Sequence, residues 1–257
     1  MSKLFEVART IFWFALRPLL LPELARQTIV ILKGREPYFR ENSLNYCDQN
    51  AVSVKEALSG LDSSWDFAES RELLDVETKS ASSRIGESDQ LMGGGASLEL
   101  LYGLTKIGDC KTVLETGVAF GWSSLAILLA LRSKPDSYLV SVDMPYVKRN
   151  TEHLVGIAVP EKLRHNWMII RRADREGIPK ALKLLGEIDL AHYDSDKSPE
   201  GRKFAYPLMW SALREGGILV SDDVSDNMGF IDFCKTIGQT PIVVRFNDKF
   251  AGILIKT

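Results

Sequence analysis

A chain of 257 residues with 45% hydrophobic content can bury a large core in one main domain with an appendage. Its 32 basic and 34 acidic residues give a net charge of -2, which excludes the broad positive field that holding a nucleic-acid backbone requires. The three cysteines, Cys47, Cys110 and Cys234, are odd in number, widely spaced and outside any CxxC pattern, so neither a disulfide framework nor a zinc cluster is indicated and a reducing, cytoplasmic setting is expected.

The chain opens with a stretch from Phe5 to Leu32 that is rich in Leu, Ile, Phe and Trp. Arg9, Arg17, Glu23 and Arg26 interrupt it, and Arg17-Pro18 breaks it in the middle. No run approaches the roughly 20 apolar residues of a spanning helix, and no small-residue cleavage site follows. The pattern predicts one or two amphipathic helices, docked on their own domain or on a second copy of the chain in preference to a membrane surface. Residues 1–90 as a whole carry helical patches separated by polar stretches, with no strand-like run, and read as a helical cap that covers the substrate or forms a homo-oligomer contact. Met92-Gly93-Gly94-Gly95 then either folds over a ligand's carboxylate or links cap to core.

From Lys111 the texture changes to short β-branched runs alternating with amphipathic ones. Strands are expected at Thr112–Glu115, Tyr138–Asp143, Trp167–Arg171, Ile188–Tyr193 and Gly217–Ser221. Helices are expected at Trp122–Arg132, Val147–Ala158, Glu176–Leu185 and Arg202–Leu213. Pro241–Phe246 and Gly252–Lys256, joined by a short loop, read as a hairpin. The expectation is an α/β domain over 91–257: a Rossmann-like, doubly wound, mostly parallel sheet of seven strands that ends in an antiparallel hairpin.

Within Val113 to Ser123 a strand meets a glycine turn and the start of a helix. Ligands of open α/β sheets bind at such strand ends, where glycine admits close backbone approach. Gly117 and Gly121 are separated by three residues, so the dinucleotide fingerprint GxGxxG is absent, and a nicotinamide-dependent oxidoreductase is disfavoured. The next strand ends in Asp143, an acceptor placed for two ribose hydroxyls. A carboxylate at a strand end beside a GxxxG turn resembles the first motif of class I S-adenosylmethionine-dependent methyltransferases. That resemblance implies a cofactor site made by Glu115, Gly117, Phe120, Gly121 and Ser123, with Met92 and Gly93 folded over it. It also puts Asp174 near the adenine, although an Asp before a helix is equally an N-cap.

The last two parallel strands both end in carboxylates, Asp194 on one and Asp222 and Asp223 on the other. Adjacent strands bring these to one edge of the sheet, beside the cofactor's methyl, and three clustered carboxylates suit a hard divalent cation such as Mg²⁺. These segments resemble those of the metal-dependent O-methyltransferases, including the catechol type and related small-molecule and sugar enzymes. Lys197 coincides with the lysine that acts as general base in the catechol type, a role that needs it neutral for part of the time; other relatives have a histidine there. His192 is the reserve base, although its place within a strand favours a packed histidine. The resemblance implies methyl transfer from S-adenosylmethionine to a hydroxyl of a small-molecule acceptor, a phenol or a sugar, assisted by a cation. Metal-free transfer to nitrogen or oxygen, or a silent scaffold with the same fold, are the rival readings.

Overall fold

The computed structural model describes residues 10–33, 38–86, 92, 95–146 and 151–257. Its centre is one sheet in the order β1-β7-β8-β6-β5-β2-β3-β4. The strands are β1 Ala51–Ser53, β2 Thr112–Thr116, β3 Tyr138–Val142, β4 Trp167–Ile170, β5 Ile188–Tyr193, β6 Leu213–Ser221, β7 Ile242–Phe246 and β8 Lys249–Ile255. All pairings are parallel except those of β8, which runs antiparallel to both β6 and β7. The expected doubly wound sheet with its terminal hairpin is therefore present. The hairpin turn is tighter than its sequence suggests, because Phe246 already pairs with Lys249.

The sheet has an eighth strand, β1, in the region read as purely helical. Three residues are too few to show a period of two; the strand exists because the edge of β7 offers it partners. Ser53 then ends it by starting a helix. The Ser53 hydroxyl accepts from the Glu56 N–H at 3.2 Å, and the Glu56 carboxylate accepts from the Ser53 N–H at 2.8 Å, a reciprocal cap.

The helices are α1 Leu21–Lys33, α2 Tyr38–Asn50, α3 Val54–Leu61, α4 Phe67–Ile85, α5 Leu98–Ile107, α6 Trp122–Leu131, α7 Asp174–Leu185, α8 Pro199–Ala212 and α9 Gly229–Ile237. Residues 10–15 are also helical. Successive strand residues alternate between two cores. Val113, Leu139, Leu190 and Ile218 join α3 to α6 on one face. Leu114, Val140, Ala191 and Leu219 join α7 to α9 and Cys47 of α2 on the other. Helix α6 is apolar all round and buried from Ser123 to Leu131, as a helix enclosed between sheet and helices must be.

The helix expected over Val147–Ala158 is not found where it can be followed. Residues 147–150 lie outside the described residues, and beyond them only a 3₁₀ turn, Glu152–Leu154, forms before loop. The loop serves the neighbouring turn instead: Gly156 N–H donates to Ala119 O at 2.9 Å and Ala158 N–H to Phe120 O at 2.8 Å. All three cysteines are buried free thiols. Among the described residues, no helix is long and apolar enough to cross a membrane.

Candidate active site

Strand parity decides which carboxylates can meet a ligand. Glu115 and His192 are register partners on β2 and β5, and both project toward α6, on the face that holds Val113 and Leu190. Glu115 is fully buried, and its Oε2 accepts from Ser124 and Ser141 hydroxyls at 2.6 Å each. His192, also fully buried, has Nδ1 3.7 Å from Glu115 Oε1 and Nε2 3.7 Å from Asp222 Oδ1. Burial alone would lower its pKa, but the flanking carboxylates of Asp222 and Glu115 outweigh burial and raise it. Glu115 and His192 thus form part of a charged chain inside the fold. Neither lines the cavity described below.

The turn after β2 is shaped by contact as well as by dihedral angle. Gly117 has φ of 79°, and a Cβ there would sit 2.2 Å from the carbonyl oxygen of Asp194. A side chain would force apart the ends of β2 and β5. Gly121, with φ of 88°, is the N-cap of α6 and offers no side-chain cap, so the first-turn N–H groups are left for a ligand. Asp143 follows β3 and is 6% exposed. Its Oδ1 accepts from the Val118 N–H at 3.1 Å, and its Oδ2 pairs with Arg171, which also binds Glu152 at 2.8 Å. Burial holds the Asp143 carboxyl above its ordinary value even against Arg171.

The segment after β5 carries the other half of the site. Lys197 Nζ stands 2.9 Å from Asp194 Oδ1 and pairs closely with Asp223, which Lys249 also approaches at 3.5 Å. Burial and the neighbouring Asp222 push the Asp194 carboxyl up to about 6. Burial works against the Lys197 ammonium, yet Asp194 and Asp223 together raise its pKa above the ordinary lysine value. For Asp223 burial opposes ionisation, but Lys197 and Lys249 bring its pKa below the usual carboxylate range. The loop bearing Asp223 is held by fully buried Arg202, which donates to Asp223 O at 2.7 Å, and by Ser43 of α2, which donates to Val224 O at 2.7 Å.

A cavity of about 210 Å³ joins these pieces. The turn and α6 contribute Gly117, Val118, Ala119, Trp122 and Ser123; the segment after β5 contributes Asp194, Ser195 and Lys197. Met92, Gly95, Ala96 and Tyr146 complete its lining. Met92, Gly117, Ser123, Asp194 and Lys197 were expected there. Gly121 shapes the turn from behind, against Gly156, while Phe120 contributes a backbone carbonyl to the 156–158 loop. Gly93 lies outside the described residues. Asp174 is neither an N-cap, a place held by Ala173, nor a lining residue. It accepts from the Ser195 hydroxyl at 2.6 Å, and burial pushes it up to about 6. Trp122, Ser195, Arg171 and Arg202 were not expected. Trp122 had a legible signal, its place in the first turn of the helix that leaves the glycine turn; the others are fixed by contacts across the sheet edge. Asp196, on the same segment, is paired with Arg26 of α1 at 2.9 Å.

The expected divalent-cation site does not fit this arrangement. Asp222 is 2% exposed and turned to His192, and the Lys197 ammonium already stands between Asp194 and Asp223. Among the described residues, no three acid, His or Cys side chains converge as a metal-holding group. Asp194 and Asp223 favour the charged form of Lys197, whereas the role implied by the resemblance needs it neutral for part of the time.

Comparison with known proteins bears on the class. Residues 114–224, which carry the turn and all three carboxylates, match the sequence profile of a methyltransferase domain family. No curated protein matches the chain in sequence. Among solved structures, the fold is similar to the O-methyltransferase TomG of Streptomyces achromogenes, involved in tomaymycin synthesis and solved with SAM. The TM-score is 0.54 at 20% identity, over 79% of this chain and 96% of that one. It is also similar to an O-methyltransferase of Bacillus cereus solved with SAH, with a TM-score of 0.52 at 14% identity, over 82% of this chain and all of that one. The sheet order, the glycine turn and the profile agree: residues 114–224 match a methyltransferase domain, and the chain has the fold of the class I methyltransferases.

Proposed function

We propose that the protein transfers the methyl group of S-adenosylmethionine to a hydroxyl of a small-molecule acceptor. The observation that carries this reading is a shared cavity: the glycine turn with the uncapped start of α6 and the Asp194–Lys197 pair line the same space. Bound there, S-adenosylmethionine supplies an electrophilic methyl on a sulfonium. The α6 N-terminus receives the cofactor's carboxylate, and Asp143 receives the ribose hydroxyls. Asp194, at about 6, is ionised at neutral pH yet basic enough to accept a hydroxyl proton. The Lys197 ammonium attracts the oxygen as negative charge develops on it. In this reading the described residues among 1–90 cover the edge of the site, Ser43 and Arg26 tying them to the loops that carry Asp223 and Asp196.

A second reading keeps the cation. Asp222 Oδ2 is buried without a hydrogen-bond partner, which is the observation in its favour. It requires Lys197 to withdraw from Asp194 and Asp223 and Asp222 to turn from His192. Calorimetric titration with S-adenosylmethionine or its demethylated product tests the class: binding that Asp143→Ala abolishes supports it, and no binding at all rejects it. Activity on phenol and sugar acceptors that survives chelation supports the first reading; loss restored by Mg²⁺ supports the second.

A further inference from the structure

The N-terminal segment packs on one side and is bare on the other. Phe14 and Leu20 are buried against Ala173, with Trp13, Leu24 and Met144 around them, so the segment is seated on the ends of β3 and β4. On the other side Ile11, Phe12, Leu16, Leu19 and Leu21 are 45–64% exposed, all within eleven residues. Ile11 and Phe12 share their outward face with Ala15 and Leu16 one turn on. A contiguous apolar patch of this kind marks an interaction site.

Its chemistry selects the partner. Residues 10–22 hold a single formal charge, Arg17, whose guanidinium lies 4.2 Å from the centre of the Trp13 ring. The first acid after it, Glu23, is already paired with Arg26 at 2.6 Å. Before it, the sequence supplies Lys3 and Arg9 against one acid, Glu6. Large apolar groups, a tryptophan and basic residues within one short stretch suit the boundary between anionic headgroups and acyl chains. A second copy is less well matched. Five half-exposed side chains make a patch on the order of 500 Å², short of about 800 Å² per partner in a stable interface.

We propose that residues 11–21 dock on an anionic bilayer surface, with Phe12, Leu16 and Leu19 among the acyl chains and Arg17 at the headgroups. The segment lies in the interface and does not cross it. Because Met144 and Ala173 follow β3 and β4, the docked face adjoins the sheet edge that bears the cavity. The proposal is independent of which acceptor the enzyme methylates.

Co-sedimentation of the full-length protein with vesicles tests it, using phosphatidylcholine alone and an equal mixture with phosphatidylglycerol. The expected result is recovery with the mixed vesicles, weaker recovery with phosphatidylcholine, and loss of the mixed-vesicle recovery in a Phe12→Glu/Leu16→Glu variant whose melting temperature is unchanged. Arg17→Gln should reduce recovery on mixed vesicles selectively. Wild-type protein that stays in solution with both vesicles, or a double variant that still sediments with them, overturns the proposal. So does a wild-type dimer that the double variant turns into monomer without any vesicle binding.

Discussion

His192 Nε2 stands 3.7 Å from Asp222 Oδ1 in a part of the fold that excludes water. With Glu115 on its other side, the imidazolium offsets two buried anions, and this chain ties β2, β5 and β6 together beneath the cavity. Replacing His192 by Asn leaves both carboxylates uncompensated, which should cost about 3–5 kcal/mol. The histidine pKa is raised in the fold, so its contribution is complete below the ordinary histidine range and is lost as pH rises above it. Urea denaturation should therefore show a wild-type advantage that narrows at alkaline pH; an equal gap at all pH values would argue that the ring is neutral.

If Lys197 acts as proposed, its substitution separates binding from chemistry. Lys197→Met should lower kcat by roughly 10²-fold or more, while affinity for the demethylated cofactor changes little, because Lys197 meets the acid pair and not the glycine turn. A variant that retained kcat would remove Lys197 from the mechanism. Parallel loss of cofactor affinity would make it a structural strut.

Gly117→Ala places a Cβ 2.2 Å from Asp194 O at a positive φ. Steric displacement and left-handed backbone strain act together, and the expected loss is on the order of 2–4 kcal/mol, with cofactor binding abolished in calorimetry. Unchanged binding would show that the ends of β2 and β5 can part without consequence.

Asp174 gives a pH test of the opposite kind. Burial raises its pKa from 3.8 to about 6, so ionisation above that pH works against the fold. Asp174→Asn keeps an acceptor for Ser195 and should stabilise the protein by on the order of 2 kcal/mol at pH 8. The gain should vanish at pH values below the ordinary carboxylate range. Thermal melting across pH checks this; equal melting temperatures at pH 8 would contradict the burial argument.

The strands, the terminal hairpin and the glycine turn were legible in the chain because each is a local pattern: β-branched runs, a short loop between two of them, two glycines flanking three residues. The positions of Asp143, Asp194 and Lys197 at the carboxyl ends of strands followed from the same patterns. Strand parity was also written in the sequence, and counting residues from Val113 to Glu115 and from Leu190 to His192 would have put both on the α6 face. What local pattern does not contain is the direction each terminal carboxylate takes once its neighbours are present. Asp222 turns to His192 and Asp223 to Lys197, because a buried anion settles beside whichever cation the fold brings near, and here those cations come from β5 and the loop after it. The three-residue strand β1, the Arg171 clamp on Asp143 and the Arg202 brace under Asp223 likewise rest on long-range contacts, and these exist only in the assembled chain.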